Sequence, residues 1–527
     1  MIKSGKFLTS IITTALLAGC GQQAAENTTV EQKNVEQNSV AKVSQETVKK
    51  PNVVIFYIDD LGYGDLSSYG ATGVKTPEID RIANNGIRFT DGHSSAATCT
   101  PSRYSLLTGE HGFRNKAKIL KGDAPALIQP GKATLASMFK KAGYTTGVVG
   151  KWHLGLGNGN VDWNADIKPG PLEIGFDYSF LLPATGDRVP TVYVENHNIV
   201  NLDKNDPITV SYKGKVGDMP TGYENPELLR FVADKQHNET IVNGVSRIGH
   251  MSGGKSAHWV DEDFATVFTD KAIEFMRASK DKPFFLFKSY HDIHVPRLPH
   301  DRFKDKSTMG VRGEAIAQMD WMTGRVIKEI EKLGLADNTL IIFTSDNGPV
   351  LFDGYFDSAI ELLGDHKPAG PYSGGKYSRL EAGTRVPTIA YWPGTIKPQV
   401  NDALVSQMDI YASLAKLVGV DMVEGEAPDS LDQLSVWLGE SDQGRIDLIE
   451  ESLGNKALRH NNYKFIPKSK QIPNFIDGKK IRGGYQKFDQ LFDLSTDVGE
   501  HNNIAKQNPA LVKQFQARLN EIVKGKY

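Results

Sequence analysis

The chain has 527 residues, too many for one small core and suited to one large domain with a smaller companion. With 39% hydrophobic and 24% charged residues it has the make-up of an ordinary globular protein, which excludes a fibrous or wholly disordered chain. A net charge of −2 argues against a nucleic-acid partner and against a basic membrane-surface protein, so a polyanionic ligand would have to be met by local positive charge.

Lys3 and Lys6 form a positive start, and Phe7 to Leu17 is an apolar stretch too short to span a bilayer as a helix. It ends in Leu17-Ala18-Gly19-Cys20, which resembles the lipobox of bacterial lipoproteins, where cleavage leaves Cys20 as a lipid-bearing N-terminus. Residues 1–20 are therefore expected to be a lipoprotein signal peptide, and the chain an exported, membrane-anchored protein of the periplasm or cell surface. Residues 21–50 contain no Phe, Tyr or Trp and are rich in Gln, Glu, Asn, Ser, Thr and Lys, as a flexible tether would be. The chain has two cysteines, so a lipidated Cys20 leaves Cys99 without a disulfide partner.

Asn52 to Ile58 is a continuous apolar run, the pattern of a strand buried on both faces. Thr76-Pro77-Glu78 then supplies an N-cap, a proline at the first helical position and an acid in the first turn, predicting a helix toward Gly86. A helix from Thr134 to about Lys141, with Gly143 as its cap, leads to a strand over Tyr144–Val149. Helices over Phe264–Ala278 and Val311–Leu333 precede strands over Phe284–Ser289 and Thr339–Thr344, and Val386–Tyr391 is a further strand. The stretch from Gly155 to His258 is irregular and reads as loops and short elements over the sheet edge. Beyond Glu426 the alternation fades. Asn462–Ile466 and Gln490–Leu494 read as strands of a small antiparallel sheet, and Pro509–Val523 as a final helix.

This pattern predicts an α/β fold, a large mostly parallel sheet with helices on both faces over residues 51–425, and a small antiparallel sheet with a helix over 426–527. Ligands of such sheets bind beyond the carboxyl ends of the strands. Asp59 and Asp60 follow the first strand, Lys151 and His153 the strand ending at Val149, His291 and His294 the strand ending at Ser289, and Asp346 and Asn347 the strand ending at Thr344. Four strands thus deliver reactive side chains to one edge. Asp59, Asp60, Asp346 and Asn347 are hard oxygen donors, suited to calcium or magnesium and not to zinc.

The run Cys99-Thr100-Pro101-Ser102-Arg103-Tyr104-Ser105-Leu106-Leu107-Thr108-Gly109 resembles the signature C-x-P-S-R-x-x-L-x-T-G of the type I sulfatases, a branch of the alkaline-phosphatase-like superfamily, at every fixed position. Gly150-Lys151-Trp152-His153-Leu154-Gly155, His294-Val295-Pro296 and Gly374-Gly375-Lys376 with Glu381 and Arg385-Val386-Pro387 resemble further motifs of that family, with Ala382 in place of one glycine. Leu491-Phe492-Asp493-Leu494 followed by Asp497, Glu500 and Asn503 resembles its C-terminal motif, with Val498 where proline is common.

The resemblance implies that a separate maturation enzyme oxidises Cys99 to formylglycine. The hydrated aldehyde offers two hydroxyls on one carbon, one to attack sulfur and one to expel sulfate, splitting one hard step into two. It further implies one divalent ion, calcium with magnesium the alternative, on Asp59, Asp60, Asp346, Asn347 and residue 99, where it would lower the pKa of the attacking hydroxyl. Arg103 would hold the hydrated aldehyde, and Lys151 and Lys376 would contact sulfate. His153 would accept a proton in the elimination, and His294 would bind sulfate or protonate the leaving alcohol. Asp187 and Arg188, and less directly His291, are candidates for contacts with the sugar. The expected substrate is a sulfated polysaccharide or oligosaccharide, first an algal galactan such as carrageenan, with a glycosaminoglycan as its rival. Phosphodiester or phosphonate hydrolysis on the same scaffold, and an inactive glycan-binding lipoprotein, are the competing functions.

Overall fold

The computed structural model describes residues 50–471, 473, 479, 481–525 and 527. The signal peptide, Cys20 and residues 21–49 of the tether lie outside the described residues. Residues 49–527 form one compact unit.

Ten strands form the main sheet: β1 (Asn52–Ile58), β2 (Ile87–His93), β3 (Thr145–Lys151), β4 (Tyr178–Leu182), β5 (Val194–Glu195), β6 (Asn198–Ile199), β7 (Phe284–Ser289), β8 (Thr339–Ser345), β9 (Thr388–Tyr391) and β10 (Gln399–Ser406). Their spatial order is β10-β2-β9-β8-β1-β7-β3-β4-β5-β6. The centre, β8-β1-β7-β3-β4, is wholly parallel. β9 runs against both β8 and β2, and β5 runs against β4 and β6. The fold class expected from the alternation of helices and apolar strands is the one observed.

The continuous apolar run of β1 has the expected cause. Val53, Ile55 and Tyr57 belong to the core on one face of the sheet, and Val54, Phe56 and Ile58 to the core on the other, as a two-residue period requires. The first core is completed by helices α2 (Cys99–Thr108), α3 (Leu135–Lys141) and α6 (Ile410–Val418). The second is completed by α1 (Pro77–Asn85), α4 (Phe264–Ser279) and α5 (Gly310–Lys332). The N-terminus of α3 is fixed by a capping box, in which Thr134 and Ser137 exchange side-chain to backbone hydrogen bonds.

A separate four-stranded antiparallel sheet follows, in the order β11 (Asp447–Ser452), β12 (Asn455–His460), β13 (Tyr463–Ile466), β14 (Gln490–Asp493). The pair expected from sequence, Asn462–Ile466 and Gln490–Leu494, is observed as Tyr463–Ile466 and Gln490–Asp493, side by side and antiparallel. Helix α7 (Pro509–Val523) closes it, packing Phe515, Leu519 and Ile522 on Ile449, Leu458, Phe465 and Leu491. Two links join this sheet to the main one. Arg459 on β12 donates to Glu381 at 2.6 Å and to Asp91 on β2 at 3.1 Å, while Lys464 on β13 donates to Glu381 at 3.1 Å, all buried. In addition, the Ala97 N–H donates to the Glu451 carbonyl at 2.7 Å, so β11 touches the segment that leads into α2.

Several elements escaped the reading of the sequence. Helix α2 has all ten residues buried and so no polar face to set up a helical period. β2 and β10 carry charged and polar residues that break an apolar run. β4 extends the sheet within the stretch expected to be irregular.

Candidate active site

The four strands expected to deliver reactive groups, β8, β1, β7 and β3, are immediate neighbours at the centre of the sheet, all parallel. Their carboxyl ends therefore open side by side. Asp60 and His153, each just past such an end, hold positive φ of 59° and 56°, a conformation that costs energy in a non-glycine residue and recurs at functional sites.

Helix α2 lays its first residue, Cys99, on these ends. Thr98 before it is extended, and Gly109 ends the helix at φ 61°. One turn on from Cys99, the Arg103 guanidinium donates to Asp346 Oδ2 at 2.9 Å, to Ser289 Oγ at 2.5 Å and to the Lys151 carbonyl at 3.2 Å. A single buried side chain thus fastens the helix to the ends of β8, β7 and β3. The Cys99 thiol donates to Asp59 Oδ1 at 3.5 Å, and the Lys151 amine donates to the other oxygen of Asp59. Burial, reinforced by Asp346, pushes the thiol pKa well up.

Asp59, Asp60, Asp346 and Asn347 are all fully buried. Asn347 Nδ2 donates to Asp60 Oδ1 at 2.7 Å, while its Oδ1 is buried with no hydrogen-bond partner among the described residues. Burial raises the pKa of Asp60 and of Asp346, and the carboxylates beside each add to the rise. Asp59, Asp60, Cys99 and His294 each offer a ligand atom within 4.8 Å of the others. An orphaned amide oxygen among crowded buried carboxylates fits a hard divalent cation.

Lys376 donates to Asp60 Oδ2 at 2.9 Å and to Asp353 Oδ2 at 3.0 Å. Against burial, which favours the neutral amine, Asp353 and Asp60 hold its pKa well up, so it stands as a fixed cation. His153 Nε2 lies 3.0 Å from the Leu120 carbonyl, and its Nδ1 has no hydrogen-bond partner among the described residues. His294 Nδ1 lies 2.5 Å from the Val295 carbonyl, and its Nε2 lies 3.8 Å from Asp60 Oδ2. The two carbonyls place the protons on His153 Nε2 and His294 Nδ1, leaving the opposite nitrogens as acceptors. Burial, then the neighbouring lysines, depresses both imidazoles.

These groups open into a cavity of about 630 Å³ lined by Cys99, His153, Asp187, Arg188, His294 and Lys376, among others, a size suited to a small ligand. Arg188 donates to Asp187 Oδ1 at 2.6 Å. His291, a candidate for the sugar, does not line this cavity. It packs behind, against Phe264, and a Cβ on Gly186 would fall 2.5 Å from its Nε2. Its ring lies in the wall that carries Asp187, with Nε2 buried and without a hydrogen-bond partner among the described residues.

The reading of the sequence missed several lining residues. Asp353 lies seven residues past Asp346 and accepts from Lys376, from Tyr377 and from Lys479, which arrives from the C-terminal part of the chain. His237 comes from the irregular stretch, with Nδ1 2.7 Å from Asp234 Oδ1 and Nε2 3.3 Å from Asp187 Oδ2. Asp353 shares a strand-end loop with the metal-type pair, a signal that could have been used. Lys479 and His237 carry no local signature.

A family profile described as Sulfatase matches residues 51–420. The chain belongs to the sulfatase family. The sulfatase is 48% identical over 511 residues to an N-acetylgalactosamine-6-O-sulfatase of Bacteroides thetaiotaomicron, covering 96% of this chain and 97% of that one. It is 30% identical over 418 residues to the steryl-sulfatase of Rattus norvegicus, covering 74% and 70%. Among solved structures it resembles one from work on the metabolism of multiple glycosaminoglycans by Bacteroides thetaiotaomicron, with a TM-score of 0.88, 49% identity and 90% and 99% of the two chains covered. A structure in complex with k-i-k-neocarrahexaose shares 21% identity at a TM-score of 0.62, covering 90% and 92%, and shows the fold alone. The protein is thus a sulfuric ester hydrolase, of a family that generally binds a divalent metal.

Removing divalent ions with a chelator is expected to lower the midpoint of thermal unfolding, and returning them at a hundred times Kd to raise it again, with about 2.7 kcal/mol of stability regained. Calcium is expected to act at lower concentration than magnesium, because crowded carboxylates with an amide form a flexible, water-poor set. A midpoint indifferent to chelation would mean that Lys376, Lys151 and Arg103 alone neutralise the carboxylates.

His237 gives a pH signature of its own. Burial opposes its charge, but hydrogen bonds to Asp187 and Asp234 raise its pKa from 6.5 to about 9. Its contribution is therefore complete below pH 6.5 and fades as pH rises through about 9. Unfolding measured from pH 6 to 10 is expected to show a loss of up to about 3 kcal/mol that a His237→Gln variant lacks. Parallel curves for the two proteins would rule out the charged imidazole.

Proposed function

We propose that this sulfatase removes the 6-O-sulfate of N-acetylgalactosamine in a glycosaminoglycan-type glycan, releasing inorganic sulfate. The observation that carries the reading is the 48% identity, over 96% of this chain, to an enzyme named for that reaction. The algal galactan expected first from sequence has only a distant likeness of fold behind it, so the glycosaminoglycan rival takes its place.

Residue 99 acts as formylglycine in this reading. Hydrated, the aldehyde supplies one hydroxyl to attack sulfur and a second to release sulfate; Asp59, Asp60, Asp346, Asn347 and residue 99 would hold a calcium ion, which would supply Lewis acidity at the attacking hydroxyl. The chain's own residues do the rest. Arg103 orients residue 99 and brings fixed positive charge to a site where an anionic ester must be held. Lys151, bonded to Asp59, and Lys376, bonded to Asp60, neutralise sulfate oxygens as point charges. His153, with Nδ1 free, accepts a proton as sulfate leaves. His294, its Nδ1 tied to the Val295 carbonyl, presents Nε2 to the departing alcohol, and the anionic ester supplies the negative charge that would let it take up and donate a proton. Asp187 and Arg188 face the sugar from the cavity wall.

The decisive measurement couples maturation to turnover. Protein co-produced with a formylglycine-generating enzyme is expected to show a peptide containing residue 99 lighter by the exchange of sulfur and two hydrogens for one oxygen. That form is expected to desulfate 6-sulfated N-acetylgalactosamine and to leave the 4-sulfated isomer and sulfated galactans intact. Full activity of verified thiol-form protein, or turnover of sulfated galactan alone, would overturn the reading.

The same proposal locates the enzyme on the outside of the inner membrane or on the cell surface, held by lipid on Cys20. Metabolic labelling with a fatty acid is expected to mark the wild type, and a Cys20→Ala variant to go unlabelled and partition into the soluble fraction. Labelling that survives the substitution would reject the anchor.

A further inference from the structure

A second cavity, of about 450 Å³, lies beside the first. The two share Ile119 and Leu453 as lining residues, and the second also takes in Thr98 and Pro101, which flank Cys99 in the chain. It therefore opens within one or two residues of the nucleophile position, on the other side of the turn that starts α2.

Its walls are basic. Lys116, Lys118 and Lys456 line it, together with Phe113. Lys116 and Lys118 are exposed, and neither forms an ion pair among the described residues. Lys456 is half-buried, with its Nζ 4.4 Å from the centre of the Phe113 ring. Lys121, three residues beyond Lys118, continues the basic run onto the rim of the first cavity. A chain with a net charge of −2 has no general excess of lysine, so four lysines following the mouth from one cavity into the next are a local concentration. Glu451, also lining this cavity, is 2% exposed, and its Oε2 is buried with no hydrogen-bond partner among the described residues, although its backbone is held by Ala97. An orphaned buried acceptor calls for a donor from a ligand.

We propose that this second cavity is a subsite for the sugar next to the one being desulfated, in which Lys116, Lys118 and Lys456 hold that sugar's anionic group, a carboxylate or a second sulfate, and Glu451 accepts a hydroxyl or amide hydrogen. The inference rests on the glycosaminoglycan reading and adds to it that the enzyme acts on oligosaccharides in preference to free sulfated monosaccharide. The lysines gain from an anion that the first cavity does not bind, so their contribution appears only when the substrate has a second sugar.

The test uses the full chain carrying Cys99→Ala, so that bound ligand stays intact, with and without Lys116→Ser and Lys118→Ser together. Each protein is titrated with 6-sulfated N-acetylgalactosamine, with a tetrasaccharide alternating uronate and 6-sulfated N-acetylgalactosamine, and with the same tetrasaccharide after reduction of its carboxyls. The tetrasaccharide is expected to bind about tenfold tighter than the monosaccharide at low salt, and most of that advantage to vanish in the lysine variant and at high salt. Monosaccharide affinity is expected to stay within about twofold, since neither lysine lines the first cavity. Loss of the advantage on carboxyl reduction assigns the subsite to the uronate, and its retention assigns it to the second sulfate. Equal affinity for tetrasaccharide and monosaccharide, or lysine substitutions that weaken both alike, would overturn the subsite. A lysine-dependent tetrasaccharide advantage without any effect of its 6-sulfates would support the subsite while rejecting the 6-sulfate reading of the first cavity.

Discussion

The site depends on the Arg103 guanidinium. It stands one helical turn from Cys99 and bonds to Asp346, Ser289 and the Lys151 carbonyl, which belong to three different strand ends. A planar group with donors in fixed directions does this where a lysine, a point charge on a flexible stem, would not. The helix it holds has no solvent face, so its position is set by what its residues bond to and pack against. Thr100, whose hydroxyl donates to the His153 carbonyl at 3.0 Å, adds a second tie between the first turn of α2 and the residues just past β3.

The same guanidinium is part of an electrostatic constraint. Burying Asp59, Asp60 and Asp346 together is costly, because three carboxylates are crowded together away from water. The fold answers with Arg103, Lys151 and Lys376, and then with Asp353 and Lys479 behind Lys376. Acid and base alternate outward from the strand ends. The inner set fits a divalent cation, and the outer set fixes Lys376 as a cation. An anionic ester entering the cavity thus meets positive charge already in place, which is the local concentration that the near-neutral chain requires.

Much of this was legible in the sequence for one reason. A doubly buried parallel strand writes itself as an apolar run, and the polar residues that follow mark its carboxyl end. Asn52–Ile58 with Asp59 and Asp60, and Thr339–Thr344 with Asp346 and Asn347, read that way from sequence, and the two strands are neighbours in the sheet. The rule fails where polarity has a different cause. His291 follows β7 as His294 does, but its ring lies against Phe264 and Gly186 behind the cavity wall. It fails again for α2, whose complete burial erases any period, and for β9, since an apolar run does not record strand direction. Lys479 and His237 reach the cavity from segments whose course is set by tertiary packing, and no spacing rule connects them to Lys376 or Asp187.

The C-terminal sheet bears on the chemistry although it contributes little to the cavity lining. β11 pairs through Glu451 with Ser95 and Ala97, the residues that lead into Cys99, so that the turn before the helix is held by backbone from both sheets. Arg459 and Lys464 then join that sheet to Glu381 and, through Arg459, to Asp91 on β2. Each of these charges is buried, and removing one would leave its partners unpaired in a low-dielectric interior, which is more costly than the pair is favourable. The two sheets are therefore locked in register by charge at one point and by backbone hydrogen bonds at the other. Glu381 and Arg385 lie a few residues past Lys376, so the run that carries the catalytic-site lysine also carries the lock. A displacement of the small sheet would be felt at Cys99 through Ala97 and at Lys376 through Glu381, which explains why residues so far apart in sequence occupy one family pattern.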